Sequence, residues 1–342
     1  MVLRVSVCSE LFFLIEGLDF YQTVDVIAEL GEESRLEQKT GIRLGVELAP
    51  FTEGKPVTEI SPEERAKRRD NLKKNQVPLT GLHWILAGGD PIFGAGKYFI
   101  PKGPHITTPH GTRRCRSADY AAEVFRYGTE LNDGNPLVAV WGSPAQRNLI
   151  PGTEYQAAEN NAANAFARIL RRDDHNVTIA LERLVRLGTR LGEDKIGETD
   201  FCYTMTQVDT VVSLTRNKLR LDRRERVGSM LDVKAAKNMG DNPLEVLRNP
   251  FLVPHIHVQD PYSFGPPGWN SNGEFLGDGH YDFRPLVAAA VELSKTRDVD
   301  LSAEPFDLPP KKFFTTHGLR PYNVFRKSVE YLGDLIQEAM TG

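Results

Sequence analysis

NVTIALE, residues 176–182, is a β-branched and apolar run that stops at a charge, Glu182. Three later runs repeat the pattern. RVGSMLD (226–232) ends on Asp232, LVPHIHVQD (252–260) carries His257 near its end, and VDLSAEPF (299–306) reaches Glu304 as its apolar part stops. Runs of this kind suit parallel strands covered by helices on one side and packed on the other. Helix-like stretches separate them: MTQVDTVVSLTRNK (205–218), NPLEVLRN (242–249) and FRPLVAAAVELSKT (283–296). Successive strands thus deliver three carboxylates and an imidazole, donors suited to one divalent cation: Mn²⁺ as the first expectation, with Co²⁺, Mg²⁺ or Zn²⁺ as alternatives. No thiolate is among them, which speaks against a structural zinc site.

Working toward the N-terminus, the alternation continues. LRVSVCSELFF (3–13) reads as a first strand and its loop, and IRLGVELAP (42–50), PLTGLHWILA (78–87) and PLVAVWGSP (136–144) read as strands. Residues 19–41 read as one helix with a polar tail, and 61–76 as a helix capped by Ser61, with Glu64 at capping-box spacing. Residues 117–133 and 153–174 read as helices, and 321–340 as the closing helix. Eight strands, each followed by a helix, predict a (β/α)₈ TIM barrel, a single domain over 1–342 with long loops after strands three and seven. An open doubly wound sheet is disfavoured because no G-x-G-x-x-G follows the first strand. A barrel of this type builds its active site at the C-terminal ends of its strands, where Glu182, Asp232, His257 and Glu304 fall.

The chain has 342 residues, 40% hydrophobic and 26% charged, as expected of a globular protein. A formal net charge of −4 argues against nucleic-acid binding. Cys8, Cys115 and Cys202 are too few and too scattered for a disulfide framework. The apolar start, interrupted by Glu10 and Glu16, lacks a basic leader and cleavage site, and no run is long enough to span a bilayer. The expectation is a cytoplasmic protein that does not contact membranes.

A family resemblance becomes visible in nine ordered motifs. They are GLHWILA (81–87), HITTP (105–109), VWGSPAQR (140–147), IALE (179–182), ETDF (198–201), LDVKA (231–235), HIHVQDP (255–261), GDGHYDF (277–283) and SAEPF (302–306). Together they resemble the sugar phosphate isomerase/epimerase family, with its xylose-isomerase-like TIM barrel. The resemblance implies that Glu182, Asp232, His257 and Glu304 bind one divalent metal. It further implies that Glu182 and Glu304 are the catalytic pair, moving protons on the two faces of an enediolate. Two departures stand out. The family's D-x-x-H after strand six is Asp232–Ala235 here, and no Arg follows His257, where the chain runs to Ser263 instead. The substrate-holding residues therefore differ.

Candidates for that role are His83, Lys234, Gln146, Arg147 and Asp260. Lys234 could replace the missing cation, Gln146 and Arg147 could hold hydroxyls or a phosphate, and Asp260 could orient the metal site. His255, two residues before His257, is expected one layer deeper in the barrel. Glu10 and Glu47 could bind substrate or line the rim. His105 and His110 lie on the long third loop, which could act as a lid, and His280 reads as a loop residue. The loops around 88–104 and Trp269 suit a roofed pocket or a subunit contact, and a homo-oligomer is expected.

The leading functional reading is a metal-dependent isomerase or epimerase of a sugar, keto-sugar or polyol derivative. The alternative is a lyase or dehydratase in which the same enolate expels a leaving group. A DNA-repair endonuclease is disfavoured by the acidic balance, and a non-catalytic sugar binder by the retention of all four ligand candidates.

Overall fold

The computed structural model describes residues 1–86, 105–142, 149, 153–172, 176–183, 201–259, 276–277, 281–305 and 320–342. Eight strands close into a barrel in sequence order, each parallel to both neighbours. They are β1 (Leu3–Cys8), β2 (Leu44–Leu48), β3 (Leu79–Leu82), β4 (Leu137–Trp141), β5 (Val177–Leu181), β6 (Val227–Asp232), β7 (Leu252–Val258) and β8 (Val299–Ala303). The (β/α)₈ expectation is met. The expected long loops, at 87–104 and 260–275, lie outside the described residues. Among the described residues, no helix is long and apolar enough to cross a membrane.

The alternation of side chains along each strand separates two packing regions. Ala139 and Trp141, Ile179 and Leu181, and Leu231 join a large cluster with the helices. Val140, Ala180, Met230 and Val253, which alternate with them, form a small separate cluster inside the barrel. That apolar filling comes from β4 to β7. On the side of β1, β2, β7 and β8 the filling is polar: Ser6 donates to Asp300 at 3.1 Å, and Cys8 lies 3.5 Å from Ser302 Oγ and 3.6 Å from Glu47. In a barrel interior built this way a polar group left unpaired is costly, because it cannot reach water.

The helices depart from the sequence reading in several places, among them the helix read at 117–133, which runs over Gly111–Leu131. Residues 19–41 form two helices, Phe20–Glu33 and Leu36–Thr40, parted at Arg35 by a left-handed φ of 56°. Ser61 caps Pro62–Lys74 by accepting from Glu64 N at 3.2 Å, but the Glu64 carboxylate turns to Lys55 and Arg68 rather than closing a capping box. A short helix, Val233–Asn238, follows β6 directly and was not anticipated, because one turn is too short to show an apolar period.

Outside the barrel, Arg68 and Glu53 form a buried ion pair, with Tyr127 OH also bonded to both. Burial pushes the Glu53 carboxyl up to about 7, against the pull of Arg68. Arg68→Met should therefore destabilise the protein by about 3–5 kcal/mol, since it strands a buried charge. The loss should be larger at pH 8 than at pH 5, where Glu53 takes up a proton. Urea unfolding at the two pH values checks this, and equal losses would show that Glu53 does not change its charge between them.

Candidate active site

The four strand-end residues occupy one end of the barrel. Glu182 follows β5, where its N–H donates to Trp141 O at 3.1 Å, and Glu304 follows β8, where its N–H donates to Val258 O at 3.2 Å. Asp232 closes β6 and is in register with His257 of β7. All four are buried. His257 Nδ1 lies 3.0 Å from both Glu182 Oε1 and Glu304 Oε2. Its other nitrogen, Nε2, lies 3.2 Å from both oxygens of Glu47.

Gly142 makes room for this arrangement. A Cβ there would lie 1.5 Å from Glu182 Oε2 and 2.7 Å from Glu182 Cδ. Gly81 likewise admits the layer beneath: a Cβ there would meet His255 Cε1 at 3.1 Å and Glu47 Cγ at 3.3 Å.

His83 follows β3, and its N–H donates to Leu48 O at 2.9 Å. Its Nδ1 is hydrogen-bonded to Glu10, and its Nε2 lies 3.6 Å from Glu304 Oε1. The His83 ring stands edge-on to His257, with centroids 4.8 Å apart and planes at 87°. His255 sits one layer deeper, as expected, with Nε2 3.1 Å from Glu47 and Nδ1 3.3 Å from Asp300. Glu10 and Glu47 are fully buried behind the histidines rather than on a rim. Sequence reasoning left their role open. The available signal was Glu47 itself, an acid between Val46 and Leu48 within a strand, which must be matched by a partner inside the barrel.

Asp232, whose carboxyl is influenced by Glu182 and Glu304, also makes a backbone contact of its own. Its Oδ1 accepts from Ala235 N at 2.8 Å and caps the helix Val233–Asn238. Lys234 is buried on that helix. Arg183, beside Glu182, is bonded to Asp241. Gln146, Arg147, Asp260, Ser263, Trp269 and His280 lie outside the described residues. His105 is buried against the Gly111–Leu131 helix, its N–H donating to Ser117 Oγ at 2.8 Å, while His110 is exposed at that helix's start.

The electrostatics follow from crowding without water. Burial opposes charge on His83, but Glu10, Glu47 and Glu304 outweigh it and push its pKa up to about 9. His255 is likewise pushed up to about 9, burial being outweighed by Glu47 and Asp300. Burial would raise Glu47, yet His255, His257 and His83 hold it well below the usual carboxylate range. Asp232 rises to about 7, through burial first and then repulsion from Glu182 and Glu304. Burial, with Glu10, Glu47 and Glu304, also keeps the Cys8 thiol protonated.

The sign of the pH dependence is set by the histidines. Their folded pKa values exceed the unfolded value near 6.5, so the stabilisation is complete below about 6.5 and lost as pH rises through about 9. The metal-free protein should therefore lose several degrees of melting temperature between pH 6.5 and pH 9. Thermal unfolding in chelator across that range checks it, and a flat profile would mean that the imidazoles are neutral.

A divalent cation fits these residues. The ligand atoms of His83, Glu182, His257 and Glu304 all lie within 4.8 Å of one another. Glu182 Oε2 and His83 Nε2 are buried without a hydrogen-bond partner. Nitrogen and carboxylate donors in this mixture suit Mn²⁺, Co²⁺ or Zn²⁺. The Glu47 carboxylate behind His257 fixes which ring nitrogen faces the carboxylates.

Comparison with solved structures places the barrel among known ones. A D-psicose 3-epimerase structure determined in the presence of D-fructose superposes with a TM-score of 0.67 at 13% identity, over 99% of this chain and 100% of that one. This chain shares the barrel fold of that structure. A D-psicose 3-epimerase from Clostridium cellulolyticum, with D-tagatose, gives 0.66 at 13% identity over 98% and 99% of the two chains. A sugar phosphate isomerase/epimerase from Parabacteroides distasonis gives 0.57 at 12% identity over 96% and 95%. At these identities the likeness is one of fold. No protein-family profile and no curated protein sequence matches the chain.

Proposed function

We propose that this protein is a divalent-metal-dependent isomerase or epimerase acting on a sugar, keto-sugar or polyol derivative. The observation that carries the reading is the buried group of Glu182, His257 and Glu304 at one end of the barrel, with Glu182 Oε2 unpartnered. Similar barrels are D-psicose and L-ribulose 3-epimerases, which supports a carbohydrate substrate. Glu182, His257 and Glu304 would hold the cation, with Asp232 beside them. Bound there, a divalent cation would act as a Lewis acid toward a carbonyl oxygen and stabilise charge developing on it.

The chain's own residues account for the proton movements. Glu182 arrives from β5 and Glu304 from β8, so they approach the enclosed space from different sides of β6 and β7. One carboxylate can take the proton from the carbon beside the carbonyl, and the other can return one to the opposite face. His83 Nε2 is placed to hydrogen-bond a substrate oxygen or to join the metal donors. Burial of the whole group excludes bulk water, so that a carbon acid is deprotonated by a poorly solvated base.

The test uses the purified protein, a panel of ketohexoses and ketopentoses, and deuterated buffer. One deuterium should enter at the carbon next to the carbonyl, with an epimer or isomer formed and no group released. Chelator should stop the exchange and Mn²⁺ should restore it. Release of a leaving group would transfer the site to lyase chemistry, and exchange unaffected by chelator would remove the metal from the reading.

A further inference from the structure

On the polar side of the barrel interior, acids and imidazoles alternate in a continuous chain. Ser6 on β1 donates to Asp300 Oδ1 on β8 at 3.1 Å. Asp300 Oδ2 lies 3.3 Å from His255 Nδ1 on β7, and His255 Nε2 lies 3.1 Å from Glu47 Oε1 on β2, both at ion-pair distance. Glu47 reaches His257 Nε2 with both oxygens at 3.2 Å, and His257 Nδ1 stands 3.0 Å from Glu182 and from Glu304. The chain therefore runs from the barrel interior to the proposed metal site. Strand register builds it in: His255 pairs with Asp300 and His257 with Ser302 along the β7–β8 ladder, and the two histidines, two residues apart, share the inward face.

Such a chain is a costly way to fill a barrel. Asp300, His255, Glu47 and His257 are all buried, and taking ions out of water carries a penalty that apolar residues of similar volume avoid. Elsewhere the interior is filled by Val140, Ala180, Met230 and Val253, so hydrocarbon suffices to close this fold. The packing around the chain is close. A Cβ at Gly81 would meet His255 Cε1 at 3.1 Å and Glu47 Cγ at 3.3 Å, so ring and carboxylate rest against bare backbone. Both Glu47 oxygens are engaged, Oε1 by His255 and His257, and Oε2 by His257 with Cys8 Sγ 3.6 Å away. Cys8, Glu47 and His257 lie close enough together to hold a metal ion themselves. A Glu47 free to turn would compete for the cation, and His255 holds its Oε1 back.

We propose that Asp300 and His255 are positioning residues for the metal site: Asp300 orients the His255 ring, His255 holds Glu47, and Glu47 keeps His257 turned so that Nδ1 faces Glu182 and Glu304. Among the described residues, neither Asp300 nor His255 belongs to a group of side chains able to hold the ion, so both act only through Glu47. A carboxylate behind a metal-ligating imidazole fixes its ring orientation and raises its basicity. Here that carboxylate is itself fixed by a second imidazole and a second carboxylate. Metal affinity then depends on side chains buried beneath the site that never touch the cation. The inference rests on the metal-dependent reading above and extends it downward into the barrel.

The experiment compares full-length wild type with His255→Gln, Asp300→Asn and Val253→Ala. Mn²⁺ affinity is measured by calorimetry, and the coupling of the coordinated imidazole nitrogen by pulsed EPR. Val253 is the control: it lies two residues before His255 on β7 but belongs to the apolar cluster, so truncating it opens a cavity without removing a member of the chain. His255→Gln should weaken Mn²⁺ binding by roughly 10–100-fold and Asp300→Asn by about 10-fold, both with an altered nitrogen coupling. Val253→Ala should lower the melting temperature and leave affinity and coupling as in the wild type. Wild-type affinity and coupling in folded His255→Gln and Asp300→Asn overturn the proposal and leave the metal-dependent function standing. So does equal weakening in Val253→Ala, which would make general loosening of the barrel the cause. A measurement on the wild type covers variants that do not fold. Nitrogen NMR of labelled histidines in the Zn²⁺-loaded protein should show His257 metallated at Nδ1, with slowly exchanging Nε2 protons on both His257 and His255. Metallation of His257 at Nε2, or fast exchange at His255, overturns the proposal. Failure of the wild type to bind any divalent cation sinks both readings.

Discussion

Gly142→Ala is expected to lower turnover by roughly 100-fold or more while leaving the barrel folded. The added methyl would sit 1.5 Å from Glu182 Oε2, 2.7 Å from Cδ and 3.2 Å from Cβ, so the Glu182 side chain cannot remain where it is. The clash falls on the carboxylate proposed to act in the site rather than on the apolar packing. Gly142 follows Trp141 at the end of β4, and Trp141 O still accepts from Glu182 N at 3.1 Å, so the strand pairing need not change. A displaced carboxylate loses its 3.0 Å approach to His257 Nδ1 and, with it, its place in the proposed metal site. Metal content, circular dichroism and turnover of the variant test this together. A variant with wild-type metal and turnover would show that Glu182 works from another rotamer.

The second large effect is expected from Glu304→Gln. The substitution keeps the size of the side chain and removes its charge and its capacity to accept a proton. Turnover should fall by about 10²–10⁴-fold, the range that a positioned acid or base contributes. Glu304 lies near both histidines, with Oε2 3.0 Å from His257 Nδ1 and Oε1 3.6 Å from His83 Nε2. Burial would raise its pKa, but His257 and His83 outweigh that and keep it ionised, ready to accept a proton. Deuterium exchange should be lost together with turnover, since both need the base. Exchange retained at the wild-type rate, with product formation lost, would restrict Glu304 to the return of the proton and leave abstraction to Glu182.

The two effects differ in what they say about the reading of the sequence. Glu304 and Glu182 were legible because each ends a β-branched run, and a parallel barrel places all such ends on one face. Gly142 was visible only as part of VWGSP, and nothing local to it points to a glutamate on the next strand. Asp232 was legible as a strand-end acid but not as a helix cap, because the short helix Val233–Asn238 leaves no periodic trace. His83 was legible as a candidate at the end of a strand. Its partner Glu10 belongs to β1's trailing segment, separated from it by 73 positions, and no spacing rule links the two.

What the sequence determined by itself is the order of strands and helices, and with it the barrel and the face on which the strand-end acids gather. Local apolar periodicity and strand-end charges are enough for that, since each depends only on neighbours along the chain. What the tertiary structure alone decided is which ionisable groups meet. Glu47 on β2 meets His255 and His257 on β7, although β1 and β8 lie between these strands in the sheet. Only closure of the sheet brings opposite walls within 3.2 Å, and the contact then crosses the interior rather than the hydrogen-bonded ladder. With water excluded there, each buried imidazole takes the nearest carboxylate, and that choice fixes the nitrogens left to face Glu182 and Glu304.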